Sequence, residues 1–491
     1  MEKVMIPITI LLPLVGGIFL PLQKNLKDRR KRNGYVLLVI ILTFVSVLYT
    51  VYQGNTELLL WNLTKDIPIY FHLDQLGALF AVLVSFMWLM SAIYSFEYMK
   101  HEKNEGRYDT AFLLALSAIL GICFAGNLIT MYIFYEFMTL AGLPMVLHSL
   151  SKEAIKAGKK YLFYSIGGAF LGFSGFVFIY SYGTSLAFTP GGVLNLTKVS
   201  GHETSLLIVT LLVIIGFGSK AGMFPLHGWL PTAHPVAPAP ASAFLSSIMT
   251  KMGVFVIIRY LYYLIGADFL RGTWVQYCAI SFTLLTILMG SMMAYKEPAL
   301  KKRLAYSTVS QVSYILFGIF LMNPIGLMGG LMHIIFHSMV KSVLFFAAGA
   351  IIFKTGKKNV CELTGIGKRM PVTMWCFTLA SLTLVGIPPT SAFLSKWYLA
   401  TGSLETAIPI LSWLGPIILI VSALLTAGYL ITISMKGFFP GDDFHYETLE
   451  NMEPLWYMVV PMVILTAGAV LLGMFPTMLT NFLQTIISAI I

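Results

Sequence analysis

The stretch GSKAGMFPLHGWLPTAHPVAPAPASAFLSSIMTKMGVFVIIR, residues 218–259, decides the fold. Its two ends belong to apolar runs at 205–224 and 240–263, each of about the length that crosses a bilayer. Each run carries a lysine, Lys220 in the first and Lys251 in the second. Pro225 removes a backbone hydrogen-bond donor shortly after Lys220, which predicts a broken helix. The stretch therefore predicts membrane-spanning helices that contain charged side chains.

The composition of the whole chain agrees with this interpretation. Of 491 residues, 57% are hydrophobic and 11% are charged, and the mean hydropathy is +0.82. Such values are typical of membrane proteins that cross the bilayer many times. We therefore predict an all-α polytopic membrane protein with about 14 transmembrane helices and no soluble catalytic domain. The predicted runs are 4–22, 34–53, 75–96, 110–126, 129–149, 161–182, 205–224, 240–263, 274–294, 305–321, 327–353, 372–400, 411–435 and 455–474.

The net charge of +11 has two interpretations, a nucleic-acid partner or membrane topology. The lysines and arginines cluster in alternate loops, which favours topology. These loops cover 24–32, 100–107, 152–160, 296–303 and 354–369, followed by Lys436. Basic loops face the cell interior, so both termini are predicted outside a cell (inner or plasma) membrane, and no nucleic acid is expected. The four cysteines have no paired spacing, so neither a disulfide framework nor an iron–sulfur or metal site is predicted.

Six charged residues lie inside predicted spans: Glu136, Lys220, Lys251, Arg259, Lys341 and Lys396. A charge at mid-bilayer depth costs roughly 2.5 to 3.5 kcal/mol, so such residues usually face the bundle interior and mark an ion path. An amine that leaves water holds its proton less tightly, and a nearby carboxylate strengthens that hold. The set predicts a proton path in which Glu136 modulates Lys220. Snorkelling or a static ion pair is the alternative for any single lysine, and Arg259 is interpreted as structural.

The segment LMHIIFHSMVKSVLFF places His333, His337 and Lys341 at i, i+4 and i+8, on one face of a helix. Such a stripe can relay a proton. Two histidines four residues apart could also bind a metal ion, but no third ligand lies nearby and Lys341 would repel a cation. No metal site is predicted, and a packed, hydrogen-bonded histidine is the remaining alternative.

A second helix break is predicted at Gly386, Pro388 and Pro389, just before Lys396. Broken helices at membrane depth often line an ion site, although a proline kink can also only shape packing. The two breaks, about 170 residues apart, predict two inverted five-helix repeats, helices 4–8 and 9–13, with helices 7 and 12 broken. The predicted domains are 1–109 (helices 1–3), 110–265 and 266–438 (the repeats), and 439–491 (helix 14 and an amphipathic tail).

Residues 218–259 resemble the signature region of the antiporter-like proton-translocating subunits. That family is shared by respiratory complex I, Mrp-type cation/proton antiporters and membrane-bound hydrogenases. The resemblance covers nearly the whole chain, including YEFM around Glu136, the histidine stripe and SKWY around Lys396. It implies that Glu136 and Lys220 form the charge pair of a first half-channel. It also implies that Lys251 is the central relay, that the stripe is the link, and that Lys396 is the exit-side residue. Because Lys396 is a lysine, the chain is most similar to the Mrp D-type subunit and related subunits.

The predicted function is proton translocation by one subunit of a multisubunit complex. The complex is either an Mrp-type Na⁺/H⁺ antiporter or a redox-driven pump of hydrogenase or complex I type. No catalytic centre or cofactor is expected in this chain, and any flavin or iron–sulfur cluster is expected in partner subunits. Two alternatives stay open: a stand-alone secondary transporter that exchanges a cation or small solute for protons, and a quinone-binding enzyme subunit.

Overall fold

The computed structural model describes residues 2–54, 56–441 and 451–491. In this part the chain is helical apart from one hairpin. The helices are α1 (Glu2–Phe19), α2 (Arg29–Gln53), α3 (Gln75–Tyr98), α4 (Glu105–Phe124), α5 (Leu128–Val146), α6 (Lys152–Tyr182), α7 (Leu196–Val199), α8 (Glu203–Ala221), α9 (Leu230–Val236), α10 (Ala239–Phe244), α11 (Thr250–Ile258), α12 (Ala267–Leu270), α13 (Trp274–Lys296), α14 (Leu300–Phe320), α15 (Pro324–Thr355), α16 (Ile366–Arg369), α17 (Pro371–Val385), α18 (Ser391–Leu404), α19 (Leu411–Phe438), α20 (Trp456–Met474) and α21 (Thr477–Ile490). Short 3₁₀ turns lie at Leu20–Leu22, Lys24–Lys27, Met99–His101 and Val360–Leu363.

Twelve helices in the described part of the chain are long and apolar enough to cross a membrane. The prediction of a polytopic, all-α membrane protein is therefore confirmed. Two predicted spans are not among the twelve. One corresponds to α14, which has Arg303 near its start and several serines and a glutamine along its length, all of which lower its hydropathy. The other is divided between α17 and α18, which have only 15 and 14 residues.

Both segments with a predicted interruption leave the helical path after a glycine. Helix α8 is followed by Gly222 at φ 79°, and the chain becomes helical again only at α9. Helix α17 is followed by Gly386 at φ 89°, and α18 begins five residues later. These positive φ values suit glycine because it has no Cβ. The Phe224–Pro225 and Pro388–Pro389 bonds are cis.

An antiparallel hairpin, β1 (Thr56–Thr64) and β2 (Ile67–Leu73), connects α2 to α3. The sequence analysis did not predict it. Its second strand alternates, with Ile69, Phe71 and Leu73 buried, which is the period of two that a half-buried strand requires. The alternation lies between two long apolar runs that dominate the sequence signal, so only the structure identifies it.

Two helical segments occupy the centre of the bundle. The best apolar window of α15 and that of the continuous helix Ala239–Ile265 are 100% buried, whereas those of α1, α2, α6, α19 and α20 are only 33–39% buried. The central segment Ala239–Ile265 contains two π-helical turns, Leu245–Met249 and Arg259–Ile265. Such turns often occur at functional sites in helices. Because α15 and this segment carry most of the predicted site residues, the site lies in the core of the molecule.

Candidate functional site

A row of polar side chains crosses the buried centre. The Lys251 ammonium donates to the carbonyl oxygen of Ser246 at 2.6 Å, and its Nζ lies 2.5 Å from Nδ1 of His337. The rings of His337 and His333 have centroids 5.9 Å apart. Nδ1 of His333 lies 2.8 Å from the hydroxyl of Ser395. All of these side chains are at most 1% exposed, so the row is isolated from bulk water by protein.

Lys396 lies at one end of this row. Its ammonium donates to the last carbonyl oxygens of α17, those of Leu384 at 2.7 Å and Val385 at 2.8 Å. It also lies 5.2 Å from the centre of the Tyr314 ring. The same ring is stacked on His333, with centroids 5.6 Å apart and planes at 19°. Tyr314 and Ser395 therefore connect Lys396 to the histidines.

Lys341 shares a helix face with the histidines but binds a different group of residues. Its ammonium donates to the hydroxyl of Ser307 at 2.6 Å and to the carbonyl oxygen of Leu304 at 3.2 Å, both on α14. The Ser307 hydroxyl lies 2.7 Å from the hydroxyl of Tyr429 on α19. The predicted linear stripe is thus divided: the histidines lie between Lys251 and Lys396, and Lys341 branches toward α14 and α19.

Lys220, in the last turn of α8, is enclosed by hydroxyl groups. Its ammonium donates to Thr139 on α5 at 2.9 Å, and to Ser165 and Tyr161 on α6 at 2.9 and 3.3 Å. It also lies 4.6 Å from the centre of the Tyr161 ring, within the range of a cation–π contact. The residue is 0% exposed. This is a fully hydrogen-bonded position for a buried amine.

Glu136 does not contact Lys220 in this conformation, and the charge pair that the resemblance implies stays a prediction. Among the residues that the structure describes, Glu136 forms no ion pair. It is half-buried on α5, one turn before Thr139, which binds Lys220. Any influence of Glu136 on Lys220 in this conformation therefore acts at longer range.

Lys220 and Lys251 lie on neighbouring helices without a hydrogen bond between them in the described chain. Gly253, two residues after Lys251, packs so closely on α8 that an added Cβ would lie 3.1 Å from Cβ of Lys220 and 2.7 Å from the Phe217 carbonyl oxygen. The close approach needs a residue without a side chain. This close packing at Gly253 places the helix that carries Lys251 in contact with Lys220 on α8.

Arg259 forms a bidentate ion pair with Asp74, at 2.5 and 2.6 Å, and its guanidinium lies 4.5 Å from the centre of the Tyr263 ring. Asp74 precedes α3 and accepts from the backbone N–H of Gly77, so it also caps that helix. Burial opposes ionisation of Asp74, but the Arg259 charge and hydrogen bonds outweigh it and lower the pKa of the carboxyl. Arg259 thus anchors two helices, away from the lysine row.

Several polar partners in the site were missed by the sequence analysis: Thr139, Tyr161, Ser165, Gln311, Tyr314, Ser395, Ser307 and Tyr429. A weak signal exists for some of them. Tyr161 and Ser165 are four residues apart on α6, and Ser395 directly precedes Lys396. Hydroxyls are common in apolar helices, however, where they bind their own backbone. No cluster of three or more potential metal ligands occurs in the described residues.

The relatives with similar sequences include an NADH-quinone oxidoreductase subunit and a hydrogenase component. NADH-quinone oxidoreductase subunit N of Desulforudis audaxviator is 33% identical over 84% of this chain and 83% of the relative. Hydrogenase-4 component B of Escherichia coli is 30% identical over 82% of this chain and 62% of the relative.

The fold is shared with a chain in the solved structure of the Mrp complex from Dietzia sp. DQ12-45-1b. The TM-score is 0.85, with 21% identity over 100% of this chain and 97% of that chain. Two family descriptions match the sequence. Residues 62–108 match the N-terminus of complex I chain 5, and residues 125–426 match the family described as NADH:quinone oxidoreductase/Mrp antiporter, TM. The chain therefore belongs to the NADH:quinone oxidoreductase/Mrp antiporter family of transmembrane proteins.

Proposed function

We propose that this chain moves protons across the membrane as one subunit of a multisubunit complex. The observation that carries the proposal is the contact between Lys251 and His337, continued by His333 and Ser395, at essentially zero exposure. Buried titratable groups in direct contact are costly in an apolar core, and a purely structural core would not need them. The names of the relatives, a quinone oxidoreductase subunit and a hydrogenase component, agree with a subunit role.

The chemistry follows from the groups in the row. An imidazole can accept a proton at one ring nitrogen and release another from the second nitrogen. His337 can take a proton from the Lys251 ammonium at Nδ1. His333 lies next along the row, with Nε2 on the side-chain oxygen of Gln311 and Nδ1 on the hydroxyl of Ser395. The Gln311 oxygen only accepts and so orients the ring, whereas the Ser395 hydroxyl can both accept a proton and release one. Lys396 receives the charge next to the negative end of α17, which attracts a cation. Lys220, with Glu136 on the neighbouring helix, supplies the other end of the path.

A finer architecture is part of the proposal. We include α14 and the divided segment α17–α18 in the proposed count of fourteen crossings, with both termini outside. The inverted repeat is supported by α6 and α15, which have 31 and 32 residues. Tyr161 and Ser165 occupy the same positions from the start of α6 as His333 and His337 from the start of α15. In the first half, Tyr161 and Ser165 bind Lys220 just before its break, and in the second half His333 binds Ser395, the neighbour of Lys396.

The driving force is proposed to come from partner subunits, as Na⁺ exchange or as redox chemistry at flavin and iron–sulfur centres outside this chain. Gentle extraction of a tagged chain, followed by mass spectrometry and visible absorbance, separates the two. Hydrophilic partners with these chromophores indicate a redox-driven pump. Small colourless membrane partners indicate an Mrp-type antiporter.

The proposed function is tested by proton flux through the purified complex in lipid vesicles that contain a pH-sensitive dye. Lys251→Ala should lower the flux on the order of 100-fold, the scale on which a positioned proton-transfer group contributes. The matched control is Lys198→Ala, at an exposed lysine outside the long apolar helices. Wild-type flux in the Lys251→Ala complex would show that the row does not carry protons.

A further inference from the structure

His234 continues the polar row beyond the three residues of the predicted stripe. It lies on α9, is 0% exposed, and its ring is stacked on Phe345 with centroids 4.8 Å apart and planes at 22°. Phe345 follows Lys341 by four residues on α15 and so occupies the same helix face. His234 of α9 therefore packs against α15 one turn beyond Lys341, at Phe345.

The imidazole of His234 lacks a hydrogen-bond partner at both ring nitrogens among the residues that the structure describes. A buried polar atom without a partner costs about 1 to 3 kcal/mol, so such atoms in native proteins call for an explanation. Three lysines carry the charges that act on this ring: Lys301, Lys341 and Lys251. Two of them belong to the buried site, and Lys301 lies at the start of α14, in a basic loop. The charges that act on the ring thus come both from the buried site and from the basic end of α14.

A pocket of about 270 Å³ opens at the face that carries the basic loops; we call it the basic-face pocket. Its wall begins with Pro235, the residue that directly follows His234 in the chain. It is lined by Pro235 and Ala237, which flank the α9 end after His234, and by Glu102, Lys301 and Lys358. Lys301 donates to the carbonyl oxygen of Ala237. The pocket has room for water and has both acidic and basic groups in its wall.

We infer that His234 passes protons between the basic-face pocket and the lysine row, so that this pocket is the mouth of the path on that side. The inference rests on the proposed function. In one transfer, a hydronium ion that enters the pocket from bulk solvent becomes water again as its proton passes, through water, to one ring nitrogen of His234. The other nitrogen then releases a proton, through water, to the neutral amine of Lys341 or Lys251. Charge and protons balance because His234 returns to its neutral form.

The first test compares His234→Gln with wild type in the vesicle assay. Glutamine keeps a donor and an acceptor but does not titrate, so it replaces a structural histidine and fails as a relay. We expect a loss of flux on the order of 100-fold. The control is His72→Gln, at a partly exposed histidine of the hairpin. Wild-type flux in His234→Gln, together with lost flux in Lys251→Ala, overturns this inference alone. Wild-type flux in both overturns the proposed function.

The second test does not depend on whether His234→Gln assembles. Pro235→Cys places a thiol at an exposed position of the basic-face pocket, in a chain whose four native cysteines are replaced by serine. The same vesicles are measured before and after alkylation with a bulky impermeant maleimide, added to one side at a time. Loss of flux from one side only supports the pocket as the mouth of the path. Unchanged flux after modification confirmed by mass spectrometry contradicts it.

Discussion

The two broken helices each carry a lysine that binds neighbouring protein groups, but they hold it in different ways. Lys220 precedes its break, is 0% exposed and, within the described part of the chain, donates only to side-chain hydroxyls. Lys396 follows its break, is half-buried and donates to two main-chain carbonyl oxygens. One amine is held by the neighbouring helices, and the other by the interrupted helix itself.

This difference predicts different roles for the two lysines, proton exchange for Lys220 and both proton exchange and helix stabilisation for Lys396. A hydroxyl both donates and accepts, so the partners of Lys220 can follow the amine through a change of protonation. A carbonyl oxygen only accepts, and the carbonyls at the C-terminal end of α17 attract a cation. We call the surroundings of Lys220 the first region and the surroundings of Lys396 the second region. We expect the first region to contribute mainly to proton exchange. The second region should contribute both to proton exchange and to the stability of the break.

The largest effects on flux are expected at the lysines of the two broken helices, and the first of these is Lys220. Replacing Lys220 or Glu136 with alanine should abolish coupled proton flux, on the order of 100-fold or more, while the complex still assembles. Flux in vesicles, normalised to the amount of complex, measures it. Lys159→Ala, at an exposed lysine of α6, is the control. Wild-type flux in either variant would mean that the first region is not on the path.

A substitution at Lys396, in the second region, should lower both the thermal stability of the protein and its proton flux. Lys396→Ala leaves the carbonyl oxygens of Leu384 and Val385 without their donor, so the melting temperature in detergent should fall more than in Lys220→Ala. Lys396→Arg should restore much of the melting temperature because guanidinium also donates to carbonyls, but not the flux, since arginine stays protonated. Equal melting temperatures for Lys396→Ala and wild type would contradict the dual role.

A smaller effect is expected from one hydroxyl around Lys220. Ser165→Ala removes one of three partners of the ammonium, so flux should fall roughly fivefold, the equivalent of about 1 kcal/mol for one hydrogen bond. Ser174→Ala is the matched control, because its hydroxyl binds the carbonyl oxygen of Leu171 in the same helix. Equal flux in the two variants would show that the hydroxyl partners only pack around the lysine.

The smallest effect on flux is expected from the ion pair outside the row. Asp74→Asn should leave flux per assembled complex unchanged but lower stability, because it weakens a buried pair with Arg259. The lowered pKa of Asp74 means that the pair stabilises the protein at neutral pH. This contribution is lost only as the pH falls below the ordinary value of 3.8 toward the folded-state pKa. Thermal unfolding between pH 3 and 7 measures this, and a fall in flux like that of Lys220→Ala would place Arg259 on the path.

The sequence predicts the parts of the site that are chemically unusual for a membrane span. Lys220, Lys251 and Lys396 stand out because charge is costly in an apolar helix, and proline and glycine mark the interruptions. The partners of these lysines cannot be predicted in the same way. Ser165 looks like any serine in an apolar helix, since only packing decides whether it bonds its own backbone or a neighbour.

Helical periodicity also does not predict which residues of other helices contact a stripe of side chains. The periodicity places His333, His337 and Lys341 on one helix face. It does not predict that His337 contacts Lys251 while Lys341 contacts Ser307. The contacts depend on how α11 and α14 pack around α15, which involves long-range contacts that a local pattern does not contain. For the same reason the sequence did not exclude a direct Glu136–Lys220 pair.

The central claim is that the two broken helices belong to one proton path. The direct test is proton flux through complexes that carry Lys220→Ala, Lys396→Ala or both, measured in the same vesicle preparation. One connected path predicts that each single variant loses as much flux as the double variant. If each single variant keeps about half of the wild-type flux and only the double variant loses it, the two regions act as separate channels and the claim is wrong.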